Sequence, residues 1–413
     1  MLERLRVRDG STRWVVAGLV LAVVVGAPMV VSGPGNDLDV GNVFRSGRAI
    51  ARHLSYVPSR APGAPVHEVI VGVLDLLGGP VLTNLASVAA AIGLLVALDR
   101  LLAREGIGTG RRWALAVVAA NPWFLIAATS TADYVFALLF VVLAALALRA
   151  DRTVLAGALA AAAMGCRIGS TLLVVALLVA ELTEPTSEAI AGPDAAGSGD
   201  RVGVSGSPAF GRVLRTGVVA AVVTVVLFIP SIVEAGGVAF AQNDFSTSTP
   251  LVQLGRAAVK DLTLLGPLAS VALLAALPAL WVAVKGWRTT WLVRFSVPGF
   301  VLSQVLFVRF PWKMPHLLPC LLCLAVLLAV ALHRKPALLM GLAVLQLVFC
   351  LVRLDLVEPD NPNQATGGKA GVSVGWGPVV TDWQCRREHP RAFLGRQKVE
   401  IEAAWDCAKP FGG

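Results

Sequence analysis

Apolar runs long enough to cross a bilayer recur from one end of this chain to the other, and they constrain its fold more than any motif does. A membrane helix needs about 20 mostly apolar residues. Runs of this kind lie near 14–31, 80–102, 113–129, 133–149, 153–165, 168–183, 215–232, 263–284, 291–308, 316–333 and 336–353. That makes about eleven spans, the fifth unusually short, which together take up about half of the chain. Only 15% of residues are charged and 56% are hydrophobic, whereas a soluble domain carries about 25% charged residues. The expected fold class is all-α integral membrane. A cytosolic enzyme, a disordered chain and a small disulfide scaffold are excluded. The first run follows Arg4, Arg6, Arg8 and Arg13, as a signal peptide would. Its length, the lack of a clean small-x-small cleavage site and the many later spans make it a retained helix instead.

The charges set an expected topology. With the N-terminus in the cytoplasm, inner loops carry Arg100, Arg104, Arg111 and Arg112, then Arg149 and Arg152, then Arg201, Arg212 and Arg215. Lys285 and Arg288, then Arg334 and Lys335, follow on the same side, so every inner loop is basic as the positive-inside rule requires. The net charge of +9 therefore reads as topology and not as nucleic-acid binding. An odd span count divides the chain into a transmembrane domain, 1–353, and a tail, 354–413, outside the cell membrane. Cys385 and Cys407 fall in that tail, where an oxidising compartment lets them pair, the alternative being two free thiols. Cys320 and Cys323 form a CxxC inside a span, where helix packing is the better account than redox or zinc chemistry.

The inner segment 184–214 is rich in Gly, Ser, Ala and Pro and reads as a flexible linker. No phosphate-cradling loop, HExxH or paired Cys/His metal spacing occurs, so direct nucleotide hydrolysis is not expected. The outer segment after the first span says most. Val40, Val43, Phe44, Gly47, Ile50, Ala51 and Leu54 recur at helical spacing, with Arg45, Arg48 and Arg52 on another face. The expectation is an interfacial helix over 40–54, apolar side down and arginines toward lipid phosphates. A second amphipathic helix is expected over 66–77, beyond a stretch from Tyr56 to Pro65 too rich in proline to be helical.

Polar residues collect on this same side. Asp37 and Asp39 stand just before the first interfacial helix, where paired carboxylates serve as a general base, a cation ligand or simply a helix cap. Asp133 and Tyr134 lie between the third and fourth spans, after Asn121-Pro122-Trp123. Arg167 lies between the fifth and sixth, and an arginine at membrane depth usually faces a cavity or pairs with an anion. Lys313 and His316 lie between the ninth and tenth. Carboxylates and cations at one membrane face suit a reaction on a lipid phosphate.

The pattern resembles the GT-C superfamily of polytopic glycosyltransferases, which includes protein O-mannosyltransferases and the lipid A aminoarabinose transferase. The resemblance rests on Asp37 and Asp39 after the first span, the helix through Ala49-Ile50-Ala51-Arg52, and the Tyr56-Val57-Pro58-Ser59-Arg60 and Glu68 that follow. Asn121-Pro122-Trp123-Phe124, Asp133-Tyr134, Arg167 and the late Lys313-Met314-Pro315-His316 extend it to about residues 10–335. It implies that Asp39 is the catalytic base with Asp37 as substitute or partner. It also implies that Asp133 supports the base and that Arg167, with Lys313 or His316, holds a phosphate, Tyr134 and Arg60 completing the expected substrate-binding residues. Leu38 and Val40 flank Asp39, so the Asp-Glu pair of several members is missing, and Arg167 stands where some families carry Lys.

What the resemblance implies is transfer of a sugar from a polyprenyl-phosphate donor to an extracytoplasmic acceptor hydroxyl on a glycan, lipid or protein. Membrane lipids are the other expected partners. Some members need a divalent cation such as Mg or Mn and others do not, so no cofactor is assigned. A secondary transporter would use the same charges for ion coupling, yet the repeated halves expected of one are not seen in the sequence. A non-catalytic membrane scaffold of the same fold is the remaining alternative.

Overall fold

The computed structural model describes residues 26–184, 208–234, 236–237, 249–287, 290–311, 313–357, 371–390 and 407. Most of the first apolar run lies outside these residues, and its end, 26–32, is helical. After it comes the amphipathic helix α1, Leu38–His53, and then α2, Pro65–Arg104, a single 40-residue helix that joins the expected second interfacial helix to the following span. The join is a kink. Gly78 and Gly79 leave helical geometry, Gly79 with φ 63°, and Pro80 follows with no amide hydrogen to continue the ladder.

Helix α1 does not rest its apolar side on lipid alone. Val40, Val43 and Phe44 are buried, and Gly47 crosses Gly72 of α2 so closely that a Cβ on Gly72 would stand 2.3 Å from the Gly47 carbonyl oxygen. Only glycine permits that approach. Arg48 is correspondingly turned from the lipid phosphates expected for it: its Nε meets Asp75 of α2 at 2.6 Å, while Arg45 and Arg52 stay exposed. The helix ends at His53, and Leu54, in the left-handed conformation, is outside it and fully exposed. Before its kink, α2 leaves Val69, Val73, Leu76 and Leu77 as exposed apolar residues facing lipid.

The run expected over 113–129 is two helices, α3, Gly110–Ala119, and α4, Pro122–Ala128. Asn121 breaks them: its side chain accepts from the amides of Trp123 and Phe124 and so starts a new helix. Beyond lie α5, Tyr134–Arg149, α6, Thr153–Cys166, and α7, Thr171–Leu182, the last entered through a 3-10 turn over Ile168–Ser170. Helix α8 runs Pro208–Glu234, so residues 208–214 are helical where a linker was expected, and residues 185–207 of that linker lie outside the described residues. Helix α9, Pro250–Leu264, was not expected at all, because Gln253, Arg256, Lys260 and Asp261 interrupt its apolar pattern. It bends by 86° into α10, Pro267–Leu274, and the 263–284 run is completed by α11, Leu277–Lys285. Helices α12, Trp291–Arg309, α13, Leu318–Leu332, and α14, Pro336–Leu351, follow.

These apolar helices make the chain an integral membrane protein. Among the described residues, four helices are long and apolar enough to cross a bilayer, or five with the bent pair, and four more are shorter apolar helices. The expected count of about eleven spans is not established by these helices: among the described residues Asn121-Pro122, Gly266 and the 3-10 turns cut several of the expected runs short. The core is built from Ala, Val and Leu, with Ala144, Ala145, Ala156, Ala160 and Ala176 fully buried, so helices approach closely. At the far end of α5, about 24 Å from Asp133 at 1.5 Å per residue, Arg149 pairs with Glu105 and Glu184 at 2.9 Å, and Arg212 with Glu181 at 2.7 Å.

The tail departs from the all-α expectation. Strands β1, Val352–Val357, and β2, Gly371–Trp376, pair antiparallel, and helix α15, Pro378–Glu388, packs back on α4 and α14. Cys385 and Cys407 are joined in a disulfide, while Cys166, Cys320, Cys323 and Cys350 are free and buried.

Candidate active site

Chain breaks at one end of the bundle present the charged residues, and each break has a local cause. Asp37 caps α1, its Oδ1 accepting the Asp39 amide at 2.9 Å. Asp39 lies in the first turn of the same helix, where the positive end of the macrodipole favours an anion. Arg60 is carried by the proline-rich link between α1 and α2, which is anchored because the Ser59 amide donates to buried Glu68 Oε1 at 2.8 Å. Asp133 and Tyr134 open α5. Arg167 is the extended residue between α6 and the 3-10 turn, and Lys313 is the extended residue before the turn Met314–Leu317.

These six residues converge on one cleft together with Asp37. Lys313 Nζ donates to Asp37 Oδ1 at 2.5 Å and lies 3.1 Å from Asp39 Oδ2. Arg60 bridges two carboxylates, with Nη1 3.0 Å from Asp39 Oδ2 and Nη2 bonded to Asp133. Arg167 Nη1 reaches Asp133 Oδ1 at 3.0 Å, and its guanidinium lies over the Tyr134 ring at 4.0 Å. His316 stands behind Tyr134, ring centroids 6.0 Å apart, with Nδ1 3.4 Å from the Phe310 carbonyl oxygen, so it touches the wall and none of the carboxylates. Asp37, Asp39, Val40, Val43, Arg60, Thr131, Ala132, Asp133 and Tyr134 line the cleft.

Three carboxylates and three cations thus alternate, and the titration of Asp39, Asp133 and Lys313 follows from their neighbours. Burial alone would raise the Asp39 carboxyl, but Arg60 and Lys313, with Arg167 further off, hold it well below the usual carboxylate range. Asp133 is likewise lowered by Arg60 and Arg167 against its burial. Lys313 is raised above the usual ammonium range, because Asp37 and Asp39 outweigh the cost of burying it. Asp39, Asp133 and Lys313 are consequently ionised at neutral pH, each against an opposite charge. A bare ion pair of this kind is costly to bury; its edge is open, Asp39 and Arg60 keeping about a quarter of their side-chain surface exposed.

A divalent cation does not fit the cleft in this arrangement. Both Asp37 and Asp39 direct carboxylate oxygens at Lys313 and Arg60, so a metal would first have to displace a bound cation. Elsewhere among the described residues the single group with metal-ligand spacing is Glu388, His389 and Cys407, and Cys407 is committed to its disulfide.

No protein-family model and no curated protein sequence matches the chain. Solved structures do. The chain superposes on ArnT from Cupriavidus metallidurans in the apo state with a TM-score of 0.57 at 16% identity, over 79% of this chain and 60% of that one. It superposes on the same protein bound to undecaprenyl phosphate with a TM-score of 0.59, also at 16% identity, over 97% of this chain and 76% of that one. Its fold is that of ArnT. The chain spans 60% of the length of the apo ArnT structure, so the likeness covers the part that the two share.

Within this ArnT fold several polar residues around the cleft escaped the sequence reading. Asn84, fully buried in the membrane part of α2, donates to the carbonyls of Val30 and Gly33 at 2.9 and 2.8 Å and accepts from Thr131 Oγ1 at 2.9 Å. Thr131 in turn bonds Thr83 at 2.6 Å, and its amide donates to the Pro34 carbonyl at 2.8 Å. This network binds the Asp37 loop to the Asp133 loop. A buried asparagine in an apolar run is itself a signal, since such residues in a membrane are costly and commonly functional. His67, fully buried against the Phe136 ring at 5.2 Å, has no hydrogen-bond partner on either ring nitrogen among the described residues. Nothing in its sequence setting marks it out.

Proposed function

We propose that this protein is a membrane glycosyltransferase of the GT-C type, moving a sugar from a polyprenyl-phosphate donor to an acceptor hydroxyl outside the cytoplasm. The observation that carries this reading is the single cleft in which Arg60, Arg167 and Lys313 face Asp37, Asp39 and Asp133. A fold shared with a protein solved with undecaprenyl phosphate bound supports it.

The chemistry has two demands. The acceptor hydroxyl must lose a proton as it attacks the anomeric carbon, and the departing polyprenyl phosphate must have its negative charge balanced. Asp39 is the general base, a role worth about 10²–10⁴-fold in rate. Arg60, Arg167 and Lys313 receive the phosphate, and preorganised donors of this sort contribute about 3–4 kcal/mol each to the transition state. The resting cleft places a condition on this scheme. A carboxylate held down by Arg60 and Lys313 is a weak base. The phosphate competes for those two cations, and as they turn toward it Asp39 recovers basicity, so donor binding readies the base. Tyr134, under Arg167, keeps that guanidinium flat and aimed at the cleft.

The test is transfer from radiolabelled polyprenyl-phosphate sugar in membranes containing the wild-type protein, Asp39→Asn, Asp37→Asn or both. Loss of transfer in the double variant, with binding of undecaprenyl phosphate retained, is the expected result. Undiminished transfer by the double variant would overturn the reading.

A further inference from the structure

The tail helix α15 carries a buried arginine whose placement the proposed chemistry does not use. Arg386 is 1% exposed, inside a protein whose other fully buried large side chains are nearly all apolar. Its Nη1 donates to the carbonyl of Met29 at 3.1 Å and to that of Thr129 at 2.6 Å, and its Nη2 to that of Ile126 at 3.4 Å. Met29 lies in the last turn of the helical stretch 26–32, and Ile126 and Thr129 close α4. The last carbonyls of a helix have no partner within it, and a cation there is favoured by the helix dipole. One guanidinium thus closes two helix ends at once. The chain leaving the first reaches Asp37 and Asp39; the chain leaving the second reaches Asp133.

The same helix holds the first of these loops directly. Asp382, one turn before Arg386 and paired with it at 2.8 Å, accepts from Asn36 Nδ2 through both its carbonyl and Oδ1 at 2.9 Å. Asn36 is buried and immediately precedes Asp37. Apolar contacts among Met29, Val379 and Cys350 already dock α15, so a buried charge is not needed for docking. What a planar guanidinium adds is direction, since its donors are fixed relative to one another.

We propose that Arg386 is a positioning residue for the candidate active site, acting with Asp382 and Asn36 to set the spacing between the Asp37–Asp39 segment and the Asp133 loop. The tail is then part of the catalytic frame. This inference rests on the glycosyltransferase reading for its kinetic consequence and stands apart from it for its structural one.

The experiment uses the full-length protein in nanodiscs, as wild type, Arg386→Met, Arg386→Lys and Asn36→Ala. Arg386→Met keeps an unbranched apolar stem and removes the donors. Amide hydrogen exchange is measured over 33–39 and 129–134, and kcat and KM with the polyprenyl-phosphate sugar. In Arg386→Met both segments exchange faster together, and kcat falls by about tenfold or more with little change in donor KM, since small misplacements of reacting groups cost that much. Arg386→Lys restores part of both. Asn36→Ala, which leaves the arginine in place, speeds exchange in 33–39 alone, and it carries the test if Arg386→Met does not fold. Faster exchange confined to 378–388, or a lowered melting temperature with kcat unchanged, would overturn the proposal. Exchange reads the tie even in a preparation that transfers no sugar, so the two readings fail separately.

Discussion

Lys313 and Asp37, separated by 276 residues in the chain, meet at 2.5 Å. The ammonium arrives from the link between α12 and α13 and the carboxylate from the cap of α1, so the contact draws the late and early thirds of the protein to one point. Lys313 also serves Asp39 at 3.1 Å, which makes it the group through which the two carboxylates sense each other.

The first expectation concerns the two acids separately. Asp39→Asn should lower transfer by about 10²–10⁴-fold, the loss of a general base. Asp37→Asn should be milder in rate, because an asparagine still caps α1. Initial rates with radiolabelled donor compare the two directly, and equal losses would assign the base to neither alone.

Removing a cation should move the pH profile in a determined direction. Asp39 is lowered in the folded protein by Arg60 and Lys313, so it stays deprotonated, and the wild type should show no acid limb from this group near neutrality. In Lys313→Met one of the lowering charges is gone, the Asp39 pKa rises, and activity should fall away at a higher pH on the acid side. The same sign governs stability: a carboxyl lowered on folding stabilises above its unfolded pKa, and that contribution is lost as pH falls through the folded value. A kcat/KM profile of Lys313→Met with its acid limb unmoved would argue against this pairing.

Asn84→Leu should destabilise the protein although leucine suits the membrane. Three hydrogen bonds vanish, leaving the carbonyls of Val30 and Gly33 and the hydroxyl of Thr131 to find partners in a dry interior. Each unsatisfied group costs about 1–3 kcal/mol. Thermal unfolding in detergent should report a lower midpoint, and Asn84→Asp should not rescue it, because a carboxylate cannot donate to carbonyls.

Gly72→Val should prevent α1 from seating on α2. Its Cβ would fall 2.3 Å from a backbone oxygen that no rotamer change can move. Overpacking of a tight site typically costs about 1–3 kcal/mol and here strikes backbone. Fluorescence-detected size exclusion of the variant, beside a control substitution at exposed Val73, separates this clash from a general effect of altering α2.

Much of the fold can be read in the chain because lipid leaves few choices: apolar runs had to be helices. The places where the reading departs from the structure are places where polar side chains substitute for backbone partners. Asn121 splits a run by capping a new helix, and α9 hides because Arg256, Lys260 and Asp261 mask its apolar face. The charged residues that gather in the cleft were legible because a charge at membrane depth is conspicuous. Their mutual pairing was not, since nothing in local sequence tells Arg60 that it will lie between Asp39 and Asp133. Arg48 shows the converse: its helical face was plain, and its partner Asp75, 27 residues on, was not.

The kink at Gly78-Gly79 separates α2 into a part locked to α1, through Gly47·Gly72 and Arg48–Asp75, and a part embedded among the other helices. Bilayers differ in thickness by a few ångströms, and a helix adapts by changing its tilt. The bend at that position gives the membrane segment a direction of its own, apart from the plate formed by α1 and the start of α2. Beyond the bend, Thr83 and Asn84 hold the Asp37 and Asp133 loops through Thr131, so the plate and the membrane segment meet again at the carboxylates.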